Sequence, residues 1–440
     1  MVEVQVIDTT ELGNRSYIAH DGRVAVVVDP QRDLDRVEAA LNSAGLSCGL
    51  VVETHIHNDY VTGGYELARR SGVPYVVSAA EQVSFDRYPV EDGDRLAVGC
   101  LSVEVVATPG HTDGHLSYVI SDGDGPPAVF TGGSLLYGTV GRTDLVDPDR
   151  TEELTRTQYR SARRLAAELP DEAAVFPTHG FGSFCSSGPA TVTATATIGE
   201  ERTRNDALTE PDEDAFTARL IARLTAYPAY YAHMAPLNRQ GPAAADLTPP
   251  RPVDAAELKS RIAAGAWVVD LRDRTAYAAG HLAGTVGIEL GRQFATYLGW
   301  LLPWGEPVTL VGETAEQVAD AQRQLARIGI DRPAGAAVGP VPGECHYPRV
   351  GFADLAGIGD GLLLDVRRDD ERASGALPGS RHIPLHQLLD RLDELPSRRT
   401  LWVHCASGFR ASVAASLLAR AGHQVVLIDD DFGTAMTTRG

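Results

Sequence analysis

The chain has 440 residues, 43% hydrophobic and 22% charged, a globular composition too long for one ordinary domain and unlike a disordered or collagenous polymer. It carries 59 acidic and 39 basic side chains, a formal charge of −20, which argues against nucleic-acid backbones and anionic membrane surfaces as partners. No apolar run approaches the roughly 20 residues needed to span a bilayer, so no membrane partner is expected.

The first 130 residues alternate short β runs with helical and turn segments. Val24 to Asp29 (VAVVVD) reads as a strand, Leu34 to Ala44 as a helix stopping at Gly45, and Gly49 to Thr54 as a second strand. Val73 to Ser78 and Leu101 to Ala107 repeat the strand pattern, which predicts a layered α/β domain. Residues 150–169 predict a helix with Thr151 as N-cap and Pro170 as stop. Val175-Phe176-Pro177 is a short strand, Ser186 to Gly199 a loop or the lead into a helix, and Ala215 to Ala226 helical. Four prolines among residues 242–252 mark an extended tether.

Beyond the tether the sequence repeats itself with a period of about 93–95 residues. Trp267 to Arg272 (WVVDLR) echoes Leu362 to Arg367 (LLLDVR), and Leu325 to Gly329 (LARIG) echoes Leu418 to Gly422 (LARAG). Three domains are therefore expected, at 1–240, 253–342 and 346–440, the last two being copies of one another.

Chemistry gathers at strand ends. Thr54-His55-Ile56-His57-Asn58-Asp59 follows a predicted strand, so His55, His57 and Asp59 share one side of an extended segment. Pro109-Gly110-His111 and Thr178-His179-Gly180 follow two more. Imidazole and carboxylate are the usual ligands of zinc and non-haem iron, and loops after several strands can collect them.

These elements, with Gly141-Arg142-Thr143-Asp144, resemble the metallo-β-lactamase superfamily, and within it the glyoxalase II and persulfide dioxygenase branch. The resemblance covers about residues 1–240. It implies an αββα sandwich with one transition metal ion at its edge, Fe(II) favoured and Zn(II) possible. It implies His55, His57 and His111 as metal ligands, with Asp59 and His179 as further candidates. It also places Arg142 and Asp144 at a glutathione-binding edge, where a guanidinium fork suits a carboxylate. An internal Arg142–Asp144 pair bracing the loop is the other reading. Two family positions depart: Tyr60 stands where a histidine is usual, and Gly133 where an aspartate binds metal. Both losses argue against a dinuclear hydrolase.

The five cysteines are scattered and form no C-x-x-C pair, which fits neither a disulfide framework nor a zinc knuckle. The first residues lack a basic, apolar signal pattern, so a cytoplasmic location is expected. Leu401 to Ser412 (LWVHCASGFRAS) is the strongest nucleophile signal. A strand ends at Cys405, a turn passes through Ser407 and Gly408, and a helix follows. Backbone N–H groups, the helix N-terminus and Arg410 would all favour a thiolate. The segment resembles the active loop of rhodaneses over about residues 346–440. That implies Cys405 and Arg410 as catalytic residues, Ser407 and Gly408 as substrate-binding positions, and a cysteine persulfide as carrier. The first copy has Gly312 where Cys405 would fall and cannot carry sulfur.

Both resemblances together imply an enzyme of sulfur metabolism. The expected activity is dioxygenation of a glutathione persulfide-like substrate to sulfite, coupled to sulfur transfer with sulfite or a thiol as acceptor. The alternatives are a sulfurtransferase with a degenerate metal domain, or a hydroxyacylglutathione hydrolase-like metallohydrolase.

Overall fold

The computed structural model describes residues 2–191, 193–340 and 343–437. The ends of the expected second and third domains, at 341–342 and 438–440, lie outside the described residues. The chain divides into two compact units, Met1–Ala245 with Ala326–Gly329, and Asp246–Leu325 with Ile330–Gly440.

The first unit holds two six-stranded sheets. One runs, in spatial order, Glu3–Thr9, Asn14–His20, Val24–Val28, Ser47–Val52, Tyr75–Ser78, Tyr88–Val90; the other runs Ala196–Thr197, Ala174–Pro177, Ala128–Gly132, Leu116–Ser121, Leu101–Ala107, Arg95–Val98. Side chains alternate across each strand, and both faces are apolar. Tyr17, Val26, Val28, Val103, Tyr118 and Phe130 fill the space between the sheets. Ile18, Val27 and Val51 face outward against Val37, Leu41 and Leu67 of the helices Asp35–Ser43 and Gly64–Ser71. On the far side Val129 and Val175 meet Tyr159, Leu165 and Phe216 of Thr151–Glu168 and Glu213–Arg223. The result is the expected αββα sandwich.

One local expectation changes, and another is met in detail. Thr151 opens its helix but does not cap it. A 3₁₀ turn, Pro148–Arg150, precedes it, and the Asp147 carboxylate accepts from Asp149 N at 3.0 Å. Asp followed by Pro supplies both an acceptor and a preset φ one turn earlier. Within 186–199, Thr197 caps the helix Ile198–Arg204 in a reciprocal box with Glu200.

The second unit holds two parallel sheets. One orders its strands Val286–Gly287, Trp267–Asp270, Val308–Gly312, Gly335–Val338. The other, read from its opposite edge, orders them Arg381–His382, Leu362–Asp365, Leu401–His404, Val425–Ile428, and ends with Arg349–Val350. The first four strands follow the same order in both. Trp267 pairs with Val308 as Leu362 pairs with Leu401, so Gly312 occupies the register of Cys405. Arg272 Nη2 bonds Asp270 Oδ2 (2.7 Å) and Gly280 O (2.9 Å), and Arg367 Nη2 bonds Asp365 Oδ2 (2.8 Å) and Gly375 O (2.7 Å). Among the described residues no helix is long and apolar enough to cross a membrane.

Candidate metal centre and thiol loop

Three loops after strands bring His55, His111 and His179 together, with their ligating nitrogens all within 4.8 Å of one another. Each outer nitrogen is held. His111 Nδ1 lies 2.6 Å from Arg142 O, a carbonyl that can only accept. His179 Nδ1 lies 3.0 Å from Asn14 Oδ1, the amide whose Nδ2 donates to Asp59. His55 Nδ1 lies 2.9 Å from Thr54 Oγ1, a hydroxyl that spends its own proton on Asp29 Oδ2 at 2.7 Å. Hydrogen-bond logic thus assigns the proton to Nδ1 in all three rings and leaves three Nε2 lone pairs facing inward. His55 Nε2 and His179 Nε2 meet at 3.2 Å, and His111 Nε2 is buried with no partner. A cation satisfies that arrangement, so the donor set fits a metal ion. Burial, then the neighbouring imidazoles, hold the His55 pKa well below its usual value; burial, then His179, lower that of His111 to about 3. Both rings stay neutral, the form a metal takes.

The sequence groups His57 with His55 and His111; the structure draws His179 to those two, and His57 Nδ1, like His111 Nε2, is buried without a partner. His57 belongs to a second group with Asp59 and His179. Its Nε2 contacts Glu53 Oε2 at 3.0 Å, Asp29 Oδ1 at 3.4 Å and the Tyr60 hydroxyl at 2.9 Å. Burial opposes its charge, but the Asp29 and Glu53 carboxylates prevail and raise its pKa to about 10. Asp59 Oδ2 accepts from Asn14 (2.9 Å) and Ser183 (3.1 Å), and Oδ1 is buried without a partner. Asn14, Glu53 and Asp29 escape the motif reading. Asp29 ends its strand at φ 50° and accepts from Thr54 N (2.7 Å), Thr54 Oγ1 (2.7 Å) and Thr178 Oγ1. It thereby ties the His55 and His179 loops together, and its only sequence signal is an acid closing an apolar run.

Gly133 leaves no opening for the absent carboxylate. A Cβ there would fall 2.2 Å from His111 Cδ2, and one at Gly141 would fall 2.7 Å from His111 Nδ1. The imidazole is slotted between two glycines.

Arg142 is a brace. Its Nε and Nη2 donate to both Asp144 oxygens at 2.7 Å, Nη1 to Phe184 O at 3.1 Å, and Nη2 to Thr225 O at 2.8 Å. The guanidinium also lies 4.6 Å over the Tyr227 ring. With its fork engaged and its side chain 3% exposed, Arg142 has the geometry of the internal pair, the second of the two readings of Arg142 and Asp144. A cavity of about 280 Å³ opens beside the cluster, lined by Ile56, Asn58, Thr112, Tyr227, Tyr231 and Arg239 among others.

In the second unit Cys405 is buried at the mouth of its loop, and Gly408 N donates to its Sγ at 3.2 Å. Gly408 takes φ 92°, which turns the N–H toward sulfur just before the helix Phe409–Arg420. Ser407 is exposed at the rim. Arg410 keeps its charge within reach of Cys405, and its Nη1 and Nη2 donate to the Glu371 carboxylate at 2.5 and 2.7 Å. A fork opposite a carboxylate prefers a bidentate pair to an isolated charge.

A buried imidazole cluster at the edge of an αββα sandwich defines a metal-dependent enzyme, and the chain belongs to the metallo-beta-lactamase superfamily. Residues 9–179 match that superfamily's model, and residues 352–433 match the rhodanese-like domain. The chain is 32% identical over 191 residues to persulfide dioxygenase ETHE1, mitochondrial, of Homo sapiens, covering 43% of this chain and 68% of that protein. It is 34% identical over 167 residues to a hydroxyacylglutathione hydrolase of Synechococcus, covering 36% of this chain and 60% of that protein. A solved metallo-beta-lactamase from Staphylococcus aureus superposes with TM-score 0.69 at 27% identity, over 77% of this chain and 99% of that one.

Proposed function

We propose that this enzyme oxidises a low-molecular-weight thiol persulfide to sulfite at the imidazole cluster and moves sulfane sulfur through Cys405. One observation carries the reading: a single chain presents three converging Nε2 lone pairs and a thiol held by a backbone N–H. The similarity to persulfide dioxygenases and the rhodanese-like match support it. In the net reaction R–S–SH, dioxygen and water give R–SH, sulfite and two protons. A metal ion held by His55, His111 and His179, with iron(II) favoured and zinc(II) the other candidate, supplies dioxygen activation when bound. Ile56, Tyr227 and Tyr231 wall the cavity that takes the thiol's carbon skeleton, and Arg239, which also lines it, is paired with Glu81 at 3.1 Å. Asp59 stays ionised beside the cluster: burial opposes its charge, but His179 and the Asn14 hydrogen bond hold its carboxyl well below the usual range.

At Cys405 the thiolate attacks a sulfane sulfur. A new S–S bond forms as the donor's S–S bond breaks and its thiolate or sulfite leaves; the reverse step hands sulfur to sulfite or a thiol. Gly408 N–H and the following helix N-terminus stabilise the anionic sulfur. We place the domains at 1–240, 253–342 and 346–440, the middle one lacking a thiol because Gly312 stands at the nucleophile's register. Thioester hydrolysis by a metal pair would need a second full site, and Tyr60 and Gly133 contribute no ligand to one.

The test is oxygen uptake and sulfite formation with glutathione persulfide on iron-loaded protein. Turnover is expected, with at least a hundredfold loss in His111→Ala. Activity no higher than that variant's removes the dioxygenase reading.

A further inference from the structure

We propose that Arg274, from the lobe without a thiol, is a positioning residue for Cys405: it neutralises Asp429 behind the Gly408 turn and so keeps the loop able to hold a thiolate. The proposal rests on Cys405 being the sulfur carrier. Gly408 has two neighbours that matter. Its N–H reaches the Cys405 sulfur at 3.2 Å, and its Cα backs onto Asp429, where an added Cβ would lie 1.9 Å from Oδ1 and 3.3 Å from Arg274 Nε. One residue therefore separates the thiol from a nearly buried carboxylate, 6% exposed. An uncompensated carboxylate there would oppose ionisation of the sulfur.

Arg274 supplies the compensation. Its Nε donates to Asp429 Oδ1 at 2.8 Å, while Arg349 Nη1 reaches Oδ2 at 3.1 Å from a more exposed position. Arg274 is fixed in turn. It opens the helix Arg274–Ala279, capped by Asp273, and Glu289 accepts from its backbone N at 3.0 Å and its Nη1 at 2.5 Å. The same lobe also touches the loop through Tyr297, whose ring packs edge-on to Phe409 at 5.5 Å. The other charged or titratable groups around Cys405 are accounted for. Arg410 is paired with Glu371 and Arg368 contacts Asp370 at 3.1 Å. Tyr297 is a buried phenol, and burial keeps His404 neutral by lowering its pKa to about 4. Asp429 is thus compensated from both lobes, by Arg274 of the lobe without a thiol and by the more exposed Arg349 of its own.

The experiment follows Cys405 alkylation by iodoacetamide against pH in the full chain, read at the Cys405 peptide by mass spectrometry. Arg274→Gln is expected to move the profile up by about one pH unit, Arg274→Lys to recover part of the shift, and Arg274→Gln/Asp429→Asn to restore the original profile. A merely structural Arg274 would change the amplitude and not the midpoint. Superimposed profiles for wild type and Arg274→Gln overturn the proposal, as does a double variant shifted as far as the single. Should Arg274→Gln not fold, Asp429→Asn alone must lower the midpoint, and an unmoved midpoint overturns it. Sulfur transfer from thiosulfate, measured in parallel, reports separately on whether Cys405 is the carrier.

Discussion

The Nε2 atoms of His55 and His179 face each other at 3.2 Å with the proton of each ring committed to the opposite nitrogen. Two lone pairs at that distance repel, and a cation between them and His111 Nε2 removes the repulsion. Metal binding should therefore stabilise the first unit, by about 2.7 kcal/mol when free metal exceeds Kd a hundredfold. His179→Ala is expected to fall below a tenth of an equivalent of metal and to lose the melting shift that EDTA causes in the wild type. His57→Gln is expected to keep its metal. The opposite pattern, in elemental analysis of the two purified variants, would return His57 to the primary set.

The outer hydrogen bonds set the tautomers, so they should matter almost as much as the ligands. Asn14→Ala removes the acceptor for His179 Nδ1 and a donor to Asp59. Metal affinity should drop about 10- to 100-fold, measured by competition with a chromophoric chelator. An unchanged affinity would mean that His179 does not bind through Nε2.

These relations explain what the sequence could and could not convey. His55, His111 and His179 each follow an apolar run, so their placement at strand ends was legible. The repeat after the tether was legible too, down to Gly312 in the register of Cys405. The grouping of His179 with His55 and His111 was not, because it depends on Asp29 and Asn14 reaching the motif from other strands, while Glu53, four residues before His57, engages that ring. The pairing of Arg410 with Glu371 spans 39 residues, and nothing local in either segment signals it. Gly133 read as a lost ligand, yet in three dimensions it is room for an imidazole.

Restoring the carboxylate at that position should accordingly fail. Gly133→Asp places a Cβ 2.2 Å from a ring whose other nitrogen is anchored to Arg142 O. Overpacking of this kind costs about 1–3 kcal/mol and here displaces a ligand. Lower melting temperature and less bound metal than wild type are expected. A variant with a second equivalent of metal would contradict the packing argument.

Stability of the metal-free protein should peak near neutrality. His55 and His111 have folded pKa values below the unfolded value of about 6.5, so the folded state binds fewer protons and their contribution fades as pH falls below 6.5. His57 has a folded value of about 10, so its contribution is complete below 6.5 and is lost as pH climbs toward 10. Each group alone gives a slope of about 1.4 kcal/mol per pH unit inside its window. Melting temperatures of chelator-treated protein should decline on both sides. A value still rising between pH 7 and 9 would refute the ion pair of His57 with Asp29 and Glu53.

Arg142 separates bracing from substrate binding. Its four hydrogen bonds join the 141–144 turn to Phe184 O and Thr225 O, and Thr225 leads to Tyr227 on the cavity wall. A lysine keeps the charge but cannot reproduce the fork, leaving Asp144 and two carbonyls poorly paired. Arg142→Lys should destabilise the first unit by about 3 kcal/mol, seen as an earlier denaturant midpoint with an unchanged slope. A substrate clamp predicts instead a native midpoint with a raised KM for the persulfide. The two readouts come from one variant, and the buried fork on Asp144 favours the first.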